Sequence, residues 1–71
     1  MTEKYTPISC SIYDEYELAA VRRDKLELVL SDGRVIQSKL KTLETVDSVE
    51  YMILENDERI RLDHIESRKV L

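Results

Sequence analysis

Three groups of side chains in this sequence could do chemistry. Cys10 precedes a helix-forming stretch, and a thiol at a helix N-terminus is acidified into a nucleophile; the blander expectation is a small apolar residue packed under the helix start, and that is the one adopted. His64 follows Asp63, the kind of pair from which a carboxylate orients a general base. Neighbours on a strand point to opposite faces, however, and no nucleophile is placed to receive help, so an ordinary surface histidine is expected. The third group is Tyr13, Asp14, Glu15 and Glu17, one phenol and three carboxylates close together. Such a group pairs with lysine and arginine. Its blander account is that acids in a first helical turn stabilise the helix by about 0.3–1 kcal/mol each. The two accounts stand level on the carboxylates alone. The tyrosine inclines the reading to a contact surface, because an exposed Tyr beside charge is typical of interface hot spots.

No reaction is expected of this chain. It has no phosphate loop, no GxGxxG, no HExxH and no EF-hand pattern. One cysteine and one histidine give neither an internal disulfide nor a conventional zinc site, and nothing calls for a cofactor. Fifteen Asp and Glu against 11 Lys and Arg leave a net charge of −4. That balance opposes nucleic-acid or anionic-membrane binding, which needs clustered cations, and favours a partner with a basic patch. The basic residues Arg22, Arg23, Lys25, Arg34, Lys39 and Lys41 are interrupted by acids or spread over strands, the pattern of a solvated face. A lone thiol and no secretory apolar segment suit a reducing cytoplasm. At 71 residues the chain reads as one domain, residues 1–71, expected to be a monomer on its own.

The acidic group must be held by a helix. Met1 to Lys4 are polar and expected to fray. Pro7 biases Thr6 toward extended geometry, so residues 1–9 form an extended lead-in. Ser11 is the expected N-cap, with Asp14 closing a weak capping box, and the helix spans 11–23. At 100° per residue Ile12, Tyr16, Ala19 and Ala20 share the core side. Tyr13, Asp14 and Glu17 gather on another. Leu18 and Val21 fit neither.

After Arg23 the period falls from 3.6 to 2. Leu26, Leu28 and Leu30 point one way, and Asp32-Gly33 marks a hairpin. The return strand runs from Val35 to about Leu43, and Glu44 to Asp47 either turns or continues it bent. Val49 to Leu54, Arg59 to Leu62 and a short run from His64 to Leu71 add three more strands. The expectation is a mainly β fold with one N-terminal α-helix, a small Sm-like antiparallel β-barrel of about five strands over residues 25–70. Closure would bury the core and hide the strand edges. An SH3-like barrel, or an open sheet with the helix across one face, satisfies the same element order.

Tyr5-x-Pro7-Ile8-x-Cys10-x-x-Tyr13-Asp14-x-x-Glu17-Leu18-Ala19 resembles the opening signature of the Rho-binding antiterminator family (Rof). The likeness continues through Asp32-Gly33, Val49-Glu50-Tyr51 and Arg61-Leu62-Asp63 with Ile65, in register over roughly Tyr5 to Ile65. His64 stands where members commonly carry lysine. The resemblance implies an Sm-like fold without Sm-type RNA binding. It also implies a protein partner, the transcription terminator Rho, whose primary RNA-binding site would be obstructed so that termination falls. Carried over by position, Tyr13, Asp14 and Glu17 would make the contact, with Glu15 a lesser addition. The rival reading is an Sm-like protein that binds RNA itself, and a structural subunit of another complex is a third.

Overall fold

A computed structural model describes residues 4–71. Of the segment Met1 to Lys4 expected to fray, residues 1–3 lie outside the described residues, and Lys4 is exposed and belongs to no helix or strand.

The helix α1 runs Cys10–Arg22 and begins earlier than the Ser11 cap implied. Ser9 is the N-cap: its backbone is extended (φ −66°, ψ 151°) and its Oγ accepts from the Ile12 N–H at 3.3 Å. Its carbonyl accepts from Tyr13 N–H at 3.0 Å, which starts the helical ladder. Ser11 was the expected cap because Asp14, three residues on, could close a capping box with it. Ser9 prevails because it follows the extended Pro7-Ile8 segment directly, and its cap puts Ile8 and Tyr13 at the two staple positions flanking the helix start. Both are half-buried against the core. At the other end Arg23 turns left-handed (φ 57°), and Asp24 N–H bonds Ala19 O at 3.0 Å, closing a helix that has no glycine to end it.

Five antiparallel strands follow: β1 Lys25–Leu30, β2 Val35–Val46, β3 Val49–Leu54, β4 Arg59–Arg61 and β5 Ile65–Val70. The expected alternation in β1 holds, with Leu26, Leu28 and Leu30 all buried. At the hairpin Asp32 Oδ1 accepts from Arg34 N–H at 3.0 Å and Gly33 takes φ 91°. β2 is the long bent strand. Its first half pairs with β1 and its second half with β3, and a register shift between Leu40 and Thr42 makes the bend. Asp47 and Ser48 both have positive φ, 49° and 65°, as a type I′ turn requires, so β2 continues to Val46.

The strand order is β4-β3-β2-β1-β5. Element order and strand number agree with the Sm-like arrangement, but the sheet is not closed into a barrel. β4 and β5 are the two edges of the sheet, and the chain passes from one to the other through a 3₁₀ turn, Leu62–His64. Asp63 and His64 therefore lie in that turn and not on a strand. Tyr16 and Ala19 of α1 close the core over the buried side chains of Leu28, Leu40, Met52, Leu54, Ile60 and Leu62. The helix packs chiefly on β2. Among the described residues no helix is long and apolar enough to cross a membrane.

Candidate protein-binding face on the leading helix

The rotation of α1 is set by Tyr16 and Ala19, buried to 3% and 5% exposure, with Ile12 and Ala20 packed beside them. At about 100° per residue from Tyr16, Tyr13, Glu17, Val21 and Asp14 then fall within roughly 100° of arc on the outer side. Asp14 and Glu17 are exposed, and Tyr13 is half-buried at the flank. Neither carboxylate has an ion-pair partner among the described residues. Val21, which fitted no face in the sequence, is 81% exposed on this same arc.

The early start of the helix bears on one of the two accounts of these acids. No acidic residue lies in the first turn. The favourable field of a helix end fades within that turn, so it does little for Asp14 and less for Glu17. Helix-end stabilisation therefore does not explain them.

Glu15 is separated from the others. It points toward β5, where its carboxylate pairs with the Arg68 guanidinium, which also lies 5.7 Å from the Tyr16 ring centroid. The structure thus brings Tyr13, Asp14 and Glu17 together and leaves Glu15 on the opposite flank, neutralised within the chain. Leu18, 49% exposed, lines the groove between Glu15, Arg68 and Val70.

Cys10 is exposed, contrary to the packed position expected. Once Ser9 caps the helix, Cys10 sits about 120° round from Tyr16, on the same arc as Glu17 and Asp14. Ile8 takes the place under the helix start instead. The period of 3.6 could have revealed this had the cap been assigned to Ser9.

A clasp holds the lead-in that delivers the helix. Tyr5 Oη donates to Glu50 Oε1 at 2.8 Å, and its ring lies under the Arg61 guanidinium, 5.7 Å from Cζ. Asp63 accepts from Thr6 N–H at 3.0 Å and from Arg61 Nε and Nη2 at 3.1 and 2.9 Å. Burial works to raise the Asp63 pKa, but the Thr6 N–H and the Arg61 guanidinium outweigh it and hold the carboxyl below its ordinary value. Burial, and then the bond to Glu50, raise the Tyr5 hydroxyl above its ordinary range. His64 Nε2 lies 3.9 Å from Asp63 Oδ1. With both Asp63 oxygens engaged by Arg61 and Thr6, this pair reads as structural and not as a poised base. Among the described residues no group of three or more His, Cys, Asp and Glu could hold a metal ion.

Comparison with known proteins bears on what such a face contacts. A family model described as "Modulator of Rho-dependent transcription termination (ROF)" matches residues 7–71. "Protein rof" of Escherichia coli (strain K12) is 39% identical over 70 residues, which cover 94% of this chain and 83% of that protein. "Protein rof" of Shigella flexneri matches with the same identity and coverage.

Proposed function

Since this chain belongs to the family of modulators of Rho-dependent transcription termination, we propose that it binds the primary RNA-binding domain of Rho in the cytoplasm and keeps transcript RNA out. The family's role is regulatory, and the α1 face fits it. Asp14 and Glu17 pair with lysine or arginine side chains that would otherwise hold RNA phosphates, and Tyr13 takes a stacking or hydrogen-bonding place of a base or sugar. Glu15 contributes less, because Arg68 already neutralises it.

The observation that carries this reading is the exposed Asp14–Glu17 pair, uncompensated within the described residues and outside the first turn of its helix. A net charge of −4 supports approach to a cationic cleft over approach to RNA itself. Binding to isolated Rho RNA-binding domain, followed by displacement of labelled oligocytidine or oligouridine, tests it. Displacement by the wild type that Asp14→Ala with Glu17→Ala loses supports the proposal. A chain that retains RNA at 0.15 M salt without touching Rho would instead establish the RNA-binding rival.

A further inference from the structure

The strand register assembles a feature that the linear order of basic residues hides. Lys25 and Lys39 stand directly opposite each other across β1 and β2. Directly opposed residues share a face with Cβ atoms about 4.5–5.5 Å apart, and like charges there are destabilising. The next pair along that face behaves as an ordinary sheet pair, with Gln37 Nε2 donating to Glu27 Oε1 at 2.9 Å. Beside Lys39, a depression of about 260 Å³ is lined by Ala20, Arg23, Lys39, Leu40, Lys41 and Glu55. Lys41 is paired with Asp57 at 2.7 Å. Arg23, Lys25 and Lys39 have no ion-pair partner among the described residues. Arg23 and Lys39 thus line one depression and Lys25 stands opposite Lys39, so three cations without an ion pair among the described residues are gathered on a chain of net charge −4, two of them in a like-charge pairing. A local rule broken with no ion pair among the described residues to offset it is the mark of a site used by something else.

Resting on the Rho-binding reading above, we propose that Arg23, Lys25 and Lys39 form a second contact surface, one that takes acidic side chains of the same protein on which α1 docks. Arg23 lies about 9 Å along the helix axis from Glu17 at 1.5 Å per residue. One edge of the molecule therefore presents carboxylates and the next presents cations. Two opposite charges at fixed separation set the orientation of docking as well as its rate.

An acidic polypeptide surface fits the site better than RNA does. Single strands are held on aromatic stacking platforms beside a cationic track, and no aromatic among the described residues lines this depression. Glu55 on the rim repels a phosphate backbone, and three free cations make a short track.

The test is the double variant Lys25→Gln with Lys39→Gln, compared with wild type and with Asp14→Ala/Glu17→Ala for binding to intact Rho hexamer. The expected result is an affinity for Rho at least about tenfold weaker at low salt, with the gap narrowing at 0.15 M where the Debye length is about 8 Å. The thermal midpoint of the lysine variant should match or exceed that of wild type, since repulsion is removed, so a loss of binding cannot be blamed on the fold. If the lysine variant binds as wild type while the α1 variant does not, this surface is unused and the inference is overturned with the Rho reading intact. If neither variant changes binding, or wild type does not bind Rho, both readings fail. Wild-type retention of oligouridine that the lysine variant loses would give the surface to RNA and overturn the inference.

Discussion

The Tyr5 hydroxyl donates to Glu50 at 2.8 Å, so the lead-in and the third strand, 45 residues apart in sequence, are fastened to each other. Glu50 belongs to β3, and Arg61, the last residue of β4, lies over the Tyr5 ring. The lead-in is thus anchored just before Pro7, and Ser9 meets the helix start in a fixed place. The position of the acidic face therefore depends on contacts made far from it.

Asp14→Ala with Glu17→Ala should abolish inhibition of Rho-dependent termination in a transcription assay. Truncating a charge fully desolvated at an interface costs about 2–5 kcal/mol, whereas a rim charge alters mainly the on-rate. Both side chains are exposed, so the circular dichroism spectrum should be unchanged and the unfolding free energy should stay within about 0.5 kcal/mol of wild type. Inhibition by the double variant at the wild-type level would remove α1 from the interface.

Cys10 offers a probe that leaves the acids untouched. It is exposed on the same arc as Asp14 and Glu17. A bulky maleimide on this thiol should weaken binding to Rho, and pre-formed complex should protect Cys10 from labelling. Equal labelling rates in free and bound protein would move the contact elsewhere.

Tyr5→Phe removes one hydrogen bond to a carboxylate and should lower stability by about 1–2 kcal/mol in chemical denaturation. Asp63→Ala should do more, about 1–3 kcal/mol, because it strips partners from the Thr6 N–H and from a guanidinium whose side chain is only 11% exposed. An Asp63→Ala variant as stable as wild type would show that the clasp is not needed to hold the lead-in.

The depressed Asp63 pKa fixes the sign of a pH effect. Its ordinary value is 3.8 and the folded value lies lower, so the unfolded chain takes up this proton first. The stabilisation is complete above about pH 3.8 and is lost as pH falls through the folded pKa. Unfolding curves across that window should show a steeper decline for wild type than for Asp63→Asn, and parallel curves would contradict the assignment.

Leu28 is fully buried at the centre of the sheet's inner face. Leu28→Ala should cost about 2–5 kcal/mol. In a small chain whose total stability is of order 5 kcal/mol, that populates the unfolded state at 37 °C, visible as lost near-ultraviolet dichroism.

Much of the fold was legible because it is written in local periods. The alternation of Leu26, Leu28 and Leu30, the Asp32-Gly33 hairpin and the core side of α1 were all read from spacing and all stand. What the spacing could not show was which of two serines caps the helix, since the Ser9 and Ser11 hydroxyl oxygens are equally good acceptors and differ in what the preceding residues pack against. The error moved Cys10 from outside to inside. The left-handed turn at Asp47-Ser48 lacked the glycine that signals such turns, which left the end of β2 open. The clasp and the opposed lysines are long-range relationships, set by register and carrying no mark in a local window. Two motifs behind the family likeness find their reason here, because Tyr5 touches both Glu50 and Arg61.

Because β2 is shared between two ladders, neither half of the molecule owns a complete set of neighbours. Melting β1 and β5 strips half of that strand, and melting β3 and β4 strips the remainder, so partial forms are penalised from both directions. Heating should therefore give one sharp calorimetric peak, with the van't Hoff and measured enthalpies equal and amides on either side of Lys41 exchanging with solvent at a common rate.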